Sequence, residues 1–224
     1  MTMTGLPVSS RTYLAPGSAT AAVVLAHGAG AGQLHPFMTS FAEALAALGV
    51  DVVTFNFPYM DAKRRLPDSP PVLEGCYRDV VGAVQRDVAS AARGLFIGGK
   101  SMGGRIATQV AAADATLPVT GLVLLGYPLH PPGRPDKRRD AHLPRLGRPT
   151  LFVQGSRDTF GTPAELQPVF ETISPAPTLF VVEGGDHSFK ISGGGRQQAV
   201  SDARVQQTIA EWIGHVTKRR QPNI

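Results

Sequence analysis

Apolar residues along this chain fall into two alternating patterns. Continuous apolar runs of strand length, typical of strands buried on both faces of a parallel sheet, occupy residues 21–27, 50–57, 95–98, 119–125, 150–154 and 178–182. A weaker run at 11–14 predicts an edge strand. Because helical patterns separate the runs, the sequence predicts a three-layer α/β fold with a mainly parallel sheet of about six to seven strands.

The helical patterns are stripes of apolar residues three or four positions apart. They predict helices over 35–48, over the stretch from Tyr77 to Val88, after residue 101, and over the last stripe from Val205 to Val216. Thr162, Pro163 and Glu165 supply an N-cap, a first-turn proline and a capping-box glutamate for one more helix. Residues 61–71 and 127–149 are predicted loops, the second with at most a short helix over 136–142.

The most informative stretch is Gly-Leu-Phe-Ile-Gly-Gly-Lys-Ser-Met-Gly-Gly-Arg-Ile-Ala at residues 94–107. Gly99, Ser101 and Gly103 form the pattern G-x-S-x-G, in which a sharp strand-to-helix turn presents a serine hydroxyl at the edge of a sheet. Glycine's missing Cβ lets the chain pass close to itself around a strained serine. Gly104 would let the following helix pack tightly on the sheet. The predicted strand before the pattern and the predicted helix after it favour a nucleophilic serine.

The same stretch also matches a phosphate-binding loop. Residues 94–101 satisfy G-x-x-x-x-G-K-S, whose intervening residues must wrap their N–H groups around phosphate. Here the intervening residues are the apolar strand itself, and the later strand ends in Gly126-Tyr127 rather than in an aspartate that could hold magnesium. Nucleotide binding is therefore the less favoured interpretation.

Asp158 and His187 are the candidate partners of Ser101. Asp158 directly follows the run at 150–154, and His187 directly follows the run at 178–182. A serine hydroxyl needs a base to take its proton and a third group to orient that base. The chain order Ser, Asp, His is the one that an α/β hydrolase requires. Because ligands bind at the carboxyl ends of parallel strands, all three are predicted to meet at one edge of the sheet.

Other residues of the same types are weighed against these candidates. The competing bases are His27, His35, His130, His142 and His215. His27 ends a strand and is expected to hold the loop that follows it, and His35 sits at a predicted helix start. The rival acids are Asp186 and Glu183, but the side chain of Asp186, next to the histidine, is expected to point away from it.

An acyl-transfer site also needs donors for the oxyanion. The backbone N–H of Met102, directly after the serine, is one candidate. The second is expected from the loop His27-Gly28-Ala29-Gly30, whose glycines expose main-chain N–H groups. Ala29 is the first choice and Gly30 the alternative.

Composition narrows the classes of function. The 224 residues carry a net charge of +5, and their basic clusters lack interleaved aromatic residues, which argues against nucleic-acid binding. Cys76 is alone, and the longest apolar run is too short to span a bilayer. We therefore expect a soluble, cytoplasmic protein with one domain over residues 1–224, flexible ends at 1–10 and 218–224, and a monomeric or homodimeric state.

With these motifs, the chain resembles the α/β-hydrolase superfamily from about residue 23 to residue 212. More narrowly, the segments His-Gly-Ala-Gly-Ala, Gly-Gly-Lys-Ser-Met-Gly-Gly-Arg, Gln-Gly-Ser-Arg-Asp-Thr-Phe-Gly-Thr-Pro and Gly-Gly-Asp-His-Ser-Phe are similar to the small dienelactone-hydrolase-like group that includes testis-expressed-thirty type proteins. The resemblance implies the catalytic triad Ser101, Asp158 and His187 and an esterase-type activity. Some eukaryotic relatives look like subunits of complexes, so a non-catalytic binding or scaffold protein is the alternative.

The sequence thus predicts a serine hydrolase of small, soluble carboxylic esters or thioesters, with no metal or organic cofactor and no nucleic-acid or membrane partner. Only the loop 127–149 is long enough to overhang the site, and its prolines and arginines argue against a large apolar lid. Lys100 is either alongside the imidazole or turned away, packing below the turn or reaching a carboxylate. The arginines of the long loop raise the hypothesis of an anionic substrate.

Overall fold

The computed structural model describes residues 7–220, and a seven-stranded sheet forms its centre. The strands are β1 (Ser10–Tyr13), β2 (Ala21–Ala26), β3 (Val50–Phe55), β4 (Leu95–Lys100), β5 (Gly121–Leu125), β6 (Thr150–Gly155) and β7 (Thr178–Val182). Their order in the sheet is β1-β3-β2-β4-β5-β6-β7. Among the strand pairs of the described residues, only the pairing of β1 with β3 is antiparallel, so the predicted parallel sheet and its edge strand are confirmed.

Helices cover both faces of the sheet. They are α1 (Pro36–Ala47), α2 (Pro58–Asp61), α3 (Pro70–Asp87), α4 (Met102–Ala113), α5 (Pro163–Phe170) and α6 (Gly195–Arg220). Apolar residues of α1 and α6 pack on one face, and those of α3, α4 and α5 pack on the other. The predicted three-layer α/β fold is therefore confirmed.

Local sequence explains these elements where the signals are strong. Every residue of β2 is buried, as its continuous run of Ala, Val and Leu requires. The capping box of α5 is complete, since Thr162 accepts a hydrogen bond from the backbone of Glu165 and the Glu165 carboxylate accepts one from the backbone of Thr162.

Two predicted loops differ from the structure. The short helix expected at most over 136–142 does not form; a 3₁₀ turn, Leu143–Arg145, follows it instead. Leu143 and Leu146 are the apolar side chains that this part of the loop can bury, whereas residues 131–139 are turns rich in proline. In the loop predicted over 61–71, α3 already begins at Pro70, because prolines are accepted in the first turn of a helix.

The expected flexible ends fall partly inside the described residues. Ser10 is the first residue of β1, and the carbonyl of Ser9 accepts a hydrogen bond from the backbone N–H of Asn56, at 2.8 Å. Residues 218–220 continue α6, and residues 1–6 and 221–224 lie outside the described part of the chain. None of the helices between residues 7 and 220 has an apolar stretch long enough to cross a bilayer.

Candidate active site

Loops that follow the carboxyl ends of three strands bring Ser101, Asp158 and His187 together. Ser101 follows β4, Asp158 follows β6, and His187 follows β7. The Oγ of Ser101 lies 2.8 Å from Nε2 of His187. On the other side of the ring, Nδ1 of His187 lies 2.8 Å from Oδ2 of Asp158. The three residues predicted from sequence thus form one continuous chain of hydrogen bonds.

Ser101 occupies a strained backbone position at the turn. Its φ of 51° and ψ of −114° lie outside the regions that L residues favour, a conformation that costs of order 1–3 kcal/mol. The turn can be this tight only because glycine flanks it: a Cβ on Gly99, whose φ is 151°, would lie 2.2 Å from the carbonyl oxygen of Ala26. A Cβ on Gly103 would lie 2.4 Å from the same oxygen. The hydroxyl is consequently held out at the sheet edge.

The geometry of the turn does not fit a phosphate-binding loop. Residues Leu95–Lys100, which would have to wrap around phosphate, form β4 and pair with both β2 and β5. Their N–H groups therefore face neighbouring strands rather than a ligand. This excludes the nucleotide-binding interpretation of the same residues.

Asp158 is completely buried and its orientation is fixed by two donors. The side-chain amide of Gln154 donates to Oδ2 at 2.8 Å, and the backbone N–H of Phe160 donates to Oδ1 at 2.8 Å. The Gln154 amide is itself anchored, since its Oε1 accepts from the backbone N–H of Tyr127 at 2.8 Å. The carboxylate can therefore present a lone pair to the imidazole without rotating.

Hydrogen bonds within the loop that carries His187 stabilise its conformation. The carboxylate of Asp186 accepts hydrogen bonds from the backbone N–H groups of Ser188 and Lys190, at 2.7 and 3.0 Å. Asp186 is therefore not an acid partner of the histidine, as expected, and Glu183 is exposed. The ring of Phe160 stacks on the imidazole with 4.1 Å between the ring centroids. No sequence pattern predicts this contact between Phe160 and the imidazole.

His27 has the structural role expected for it. It is completely buried, and its Nε2 accepts a hydrogen bond from the backbone N–H of Phe57 at 3.0 Å. The proton of the neutral ring therefore lies on Nδ1, which donates to the carbonyl oxygen of Gly28 at 2.7 Å. Burial lowers the pKa of His27, which favours this neutral form.

The other histidines lie away from Ser101. The ring of His35 caps α1 by accepting from the backbone N–H of Phe37, at 3.2 Å, as expected for a helix start. His130 contacts Glu165, His142 contacts Thr108, and His215 is exposed on α6. None of these rings contacts Ser101 in the hydrogen bonds of the described residues.

The loop after β2 has two carbonyl groups fixed by side chains. The carbonyl oxygen of Ala29 accepts a hydrogen bond from Tyr59 Oη at 2.9 Å, and that of Gly28 is held by His27. In a trans peptide the N–H points opposite to the C=O. The N–H groups of Ala29 and Gly30 therefore point away from these buried contacts, and both residues line the cleft around Ser101.

Met102, the other predicted donor, also lines the cleft. It is the first residue of α4, where backbone N–H groups have no partner inside the helix. Across the described residues, neither its N–H nor that of Ala29 donates to another group. Both predicted donors are thus available to an acceptor beside Ser101.

Lys100 contacts the imidazole loop in a way that the sequence did not predict. Its Nζ donates to the main-chain carbonyl oxygen of His187, and no carboxylate accepts a hydrogen bond from it among the described residues. The ammonium lies over the rings of Phe37 and Phe189, 5.7 and 5.5 Å from their centroids. Burial lowers the pKa of Lys100 to about 8, although the charges of Asp158 and Asp186 oppose this.

A cleft of about 1000 Å³ surrounds Ser101. On the side of α1 it is lined by Phe37, Met38 and Phe41, and on the side of α3 and α4 by Leu73, Met102 and Arg105. Pro67, Asp68 and Pro70 also border it. The sequence suggested that only the long loop, which carries Arg139, could overhang the site, but the segment before α3 borders the cleft as well. Within residues 7–220, no inserted lid domain covers this cleft, in agreement with the prediction.

Comparisons with known proteins agree with this architecture. A model of the alpha/beta hydrolase domain family matches residues 19–216. The fold is similar to dienelactone hydrolase from Anabaena variabilis, with 21% identity, a TM-score of 0.72 and coverage of 95% of this chain and 94% of that one. An α/β serine hydrolase without a lid from Xanthomonas campestris is 20% identical, with a TM-score of 0.66 and coverage of 100% and 94%.

Est1E from Butyrivibrio proteoclasticus, solved with ferulic acid bound, is also similar. It is 13% identical, with a TM-score of 0.70 and coverage of 95% of this chain and 99% of that one. At such identities the likeness to solved structures concerns the fold alone. Together with the family model, it confirms the predicted resemblance to α/β hydrolases and, among them, to dienelactone hydrolase.

Proposed function

Since this chain belongs to the alpha/beta hydrolase family, we propose that it is a serine hydrolase that cleaves carboxylic esters or thioesters through an acyl-enzyme. The observation that carries the proposal is the hydrogen-bonded chain from Ser101 through His187 to the buried Asp158, with 2.8 Å at both contacts. An activated nucleophile, a base within reach and a group that orients the base are the parts that this chemistry needs.

In the proposed first step, Nε2 of His187 takes the proton of Ser101 Oγ as the oxygen attacks the acyl carbon. Asp158 holds the proton of the imidazole on Nδ1 and stabilises the imidazolium that forms. His187 then gives its proton to the departing alcohol or thiol. In the second step it activates water, which hydrolyses the acyl-enzyme and regenerates the serine.

The negative oxygen of the tetrahedral intermediate would be held by backbone N–H groups. Met102 and Ala29 are the proposed donors, with Gly30 as the alternative to Ala29. Their support is the orientation of the loop peptides, whose carbonyls are tied to His27 and Tyr59, and the free N–H at the start of α4. Donors fixed before the reaction need no reorganisation when charge develops.

Small esters are the proposed substrates because the cleft is bordered by loops and helix ends rather than by an apolar cap. The alternative, a binding or scaffold protein that has kept the fold, would tolerate loss of one of the three residues or of the glycine-rich loop. The sequence keeps all of them, and their hydrogen bonds are complete. Catalysis is therefore the better supported function.

The decisive experiment is active-site labelling with a fluorophosphonate, followed by mass spectrometry. We expect the label on Ser101, no labelling of Ser101→Ala, and much slower labelling of His187→Ala. Ser188→Ala, which removes another hydroxyl that borders the cleft, should label like the wild type. Hydrolysis of 4-nitrophenyl acetate should fall roughly 10⁴- to 10⁶-fold in Ser101→Ala. A folded wild-type protein that takes no label would favour the scaffold alternative.

A further inference from the structure

The centre of the loop between β2 and α1 is exposed, although both of its ends are fixed. At one end the ring of His27 is completely buried, and at the other end Gln33 is 4% exposed. Ala29 and Gly30 lie between them and are exposed. Among the hydrogen bonds of residues 7–220, the only one to the main chain of these two residues comes from the hydroxyl of Tyr59. The orientation of the peptide group that joins them therefore depends on one side chain.

Tyr59 lies in α2, shortly after β3, and is completely buried. Because β2 and β3 are neighbouring parallel strands, their carboxyl ends meet at one edge of the sheet, so a residue that follows β3 can contact the loop that follows β2. The Oη donates to the carbonyl oxygen of Ala29 at 2.9 Å, whereas that of Gly28 lies 3.4 Å away and accepts from His27. Burial and, next, the charge of Asp68 raise the pKa of Tyr59 to about 12, so the hydroxyl keeps the proton that it donates.

The contact to Ala29 fixes a main-chain donor because a peptide group is planar. The carbonyl of Ala29 and the N–H of Gly30 belong to the same peptide and point in opposite directions. A hydrogen bond to this carbonyl therefore keeps the N–H directed away from Tyr59. The loop passes beside the nucleophile, since a Cβ on Gly28 would lie 3.8 Å from the Cβ of Ser101. If the peptide rotated, its carbonyl oxygen would replace the N–H and repel a developing oxyanion.

From these contacts we propose that Tyr59 is a positioning residue for ester hydrolysis: its hydroxyl fixes the peptide groups of the oxyanion loop, residues 28–30, before a substrate binds. The inference rests on the proposed hydrolase function. Tyr59 does not itself line the cleft around Ser101, so it acts through the loop and not on the substrate. Donors that are already oriented need no reorganisation when charge develops on the substrate oxygen.

Tyr59→Phe keeps the ring and removes the hydroxyl. We expect kcat for 4-nitrophenyl acetate to fall roughly 10- to 100-fold, because loosened donors lose part of their effect on the oxyanion. KM should stay within about twofold, because the oxyanion forms only after the substrate has bound. Tyr77→Phe is the matched control. It also removes a buried hydroxyl that contacts main-chain groups, and it should lower stability but leave kcat unchanged.

A matched thionoester separates oxyanion stabilisation from a general loss of structure. In this substrate a sulfur atom replaces the carbonyl oxygen, and sulfur is a weak acceptor of N–H hydrogen bonds. The wild type should therefore prefer the oxygen ester, and Tyr59→Phe should lower this preference by about the same factor as it lowers kcat. The ratio of the two rates in one sample does not depend on the fraction of folded protein. Equal losses on both substrates would show that Tyr59 only supports the fold.

NMR spectra test the loop without relying on catalysis. The amide signals of Ala29 and Gly30 should shift or broaden in Tyr59→Phe and stay unchanged in Tyr77→Phe. Unchanged signals in Tyr59→Phe, or wild-type kinetics in that variant, would overturn the positioning role while the hydrolase proposal stands. If the wild type takes up no fluorophosphonate and cleaves no ester, the hydrolase proposal and the role of Tyr59 in catalysis both fail, even where the amide signals respond.

Discussion

The side chain of Lys100 is hydrogen-bonded to the main-chain carbonyl of His187, 87 residues further along the chain. The contact joins the turn that presents the Ser101 hydroxyl to the loop that presents the imidazole. Because the ammonium is largely removed from water, its pKa is lowered from 10.5 to about 8. Lys100 therefore loses its proton at a lower pH than an exposed lysine does.

Replacing Lys100 by Met should change how stability depends on pH. The folded protein binds the Lys100 proton less tightly than the unfolded chain does, so between pH 8 and 10.5 the unfolded chain carries more protons. The free energy of unfolding of the wild type should consequently rise across this window, by about 3 kcal/mol relative to Lys100→Met. Urea denaturation at several pH values measures the difference.

Lys218→Met, an exposed position in α6, is the matched control and should follow the wild type at every pH. A stability difference between wild type and Lys100→Met that stays constant from pH 7 to 10.5 would show that the lysine is not held in a desolvated position.

The features that sequence analysis predicted correctly are local ones. The turn at Ser101 is encoded by glycines within two residues of it, and the capping box of α5 by residues three positions apart. The meeting of Ser101, Asp158 and His187 could be predicted although they are distant in sequence. Parallel strands bring their carboxyl ends to one edge, so the position of each residue after its strand was sufficient.

The features that were missed depend on side-chain packing between segments. The contact from Lys100 to His187 and the stacking of Phe160 on the imidazole leave no periodic or spacing signal. Gln154 did leave one, since its polar side chain directly follows the apolar residues 151–153 of β6. A buried amide needs partners, and this one supports Asp158.

Gln154→Glu should introduce an upper pH limit for ester hydrolysis. Burial and the neighbouring Asp158 would both raise the pKa of the introduced carboxyl group. While protonated, it can donate to Asp158 as the amide does at 2.8 Å and accept from Tyr127. Once ionised, it repels Asp158, so the Asp158 carboxylate moves and no longer orients His187. The profile of ester hydrolysis against pH should therefore become bell-shaped in this variant.

Gln154→Leu is the control, because it removes the donor without adding a titrating group. Its activity should be lower than that of the wild type at all pH values, with an unchanged profile. A wild-type profile in Gln154→Glu would mean that the amide does not influence the orientation of Asp158.

His27 should make the protein sensitive to acid. Its Nε2 must be unprotonated to accept from Phe57, and burial lowers the pKa of the ring below 6.5. As pH falls below about 6.5, the unfolded chain takes up a proton that the folded ring resists, so the free energy of unfolding decreases. His27→Gln keeps an acceptor near Nε2 and cannot titrate, so thermal unfolding should show a smaller loss of stability between pH 7 and 5. An equal loss in both proteins would assign the acid sensitivity to other groups.

Tyr77 offers a prediction about the strand that carries the serine. The main chain of β4 lies close to that of β5 at Gly98, where a Cβ would lie 1.8 Å from the carbonyl oxygen of Val123. The buried hydroxyl of Tyr77 contacts the main chain at this point. It accepts from the N–H of Gly98 at 2.9 Å and lies 2.6 and 3.1 Å from the carbonyl oxygens of Gly98 and Val24.

Tyr77→Phe keeps the ring and removes the hydroxyl, so backbone groups of β4 lose their partner in a region that water does not reach. We expect the free energy of unfolding to fall by about 1–3 kcal/mol, with fluorophosphonate labelling of Ser101 retained well below the unfolding temperature. Tyr13→Phe is a matched control, since the buried hydroxyl of Tyr13 has no hydrogen-bond partner among the described residues, and it should cost little or even stabilise. If the two variants unfold alike in urea, the Tyr77 hydroxyl does not stabilise β4, and the close approach of β4 to β5 at Gly98 is stabilised by packing alone.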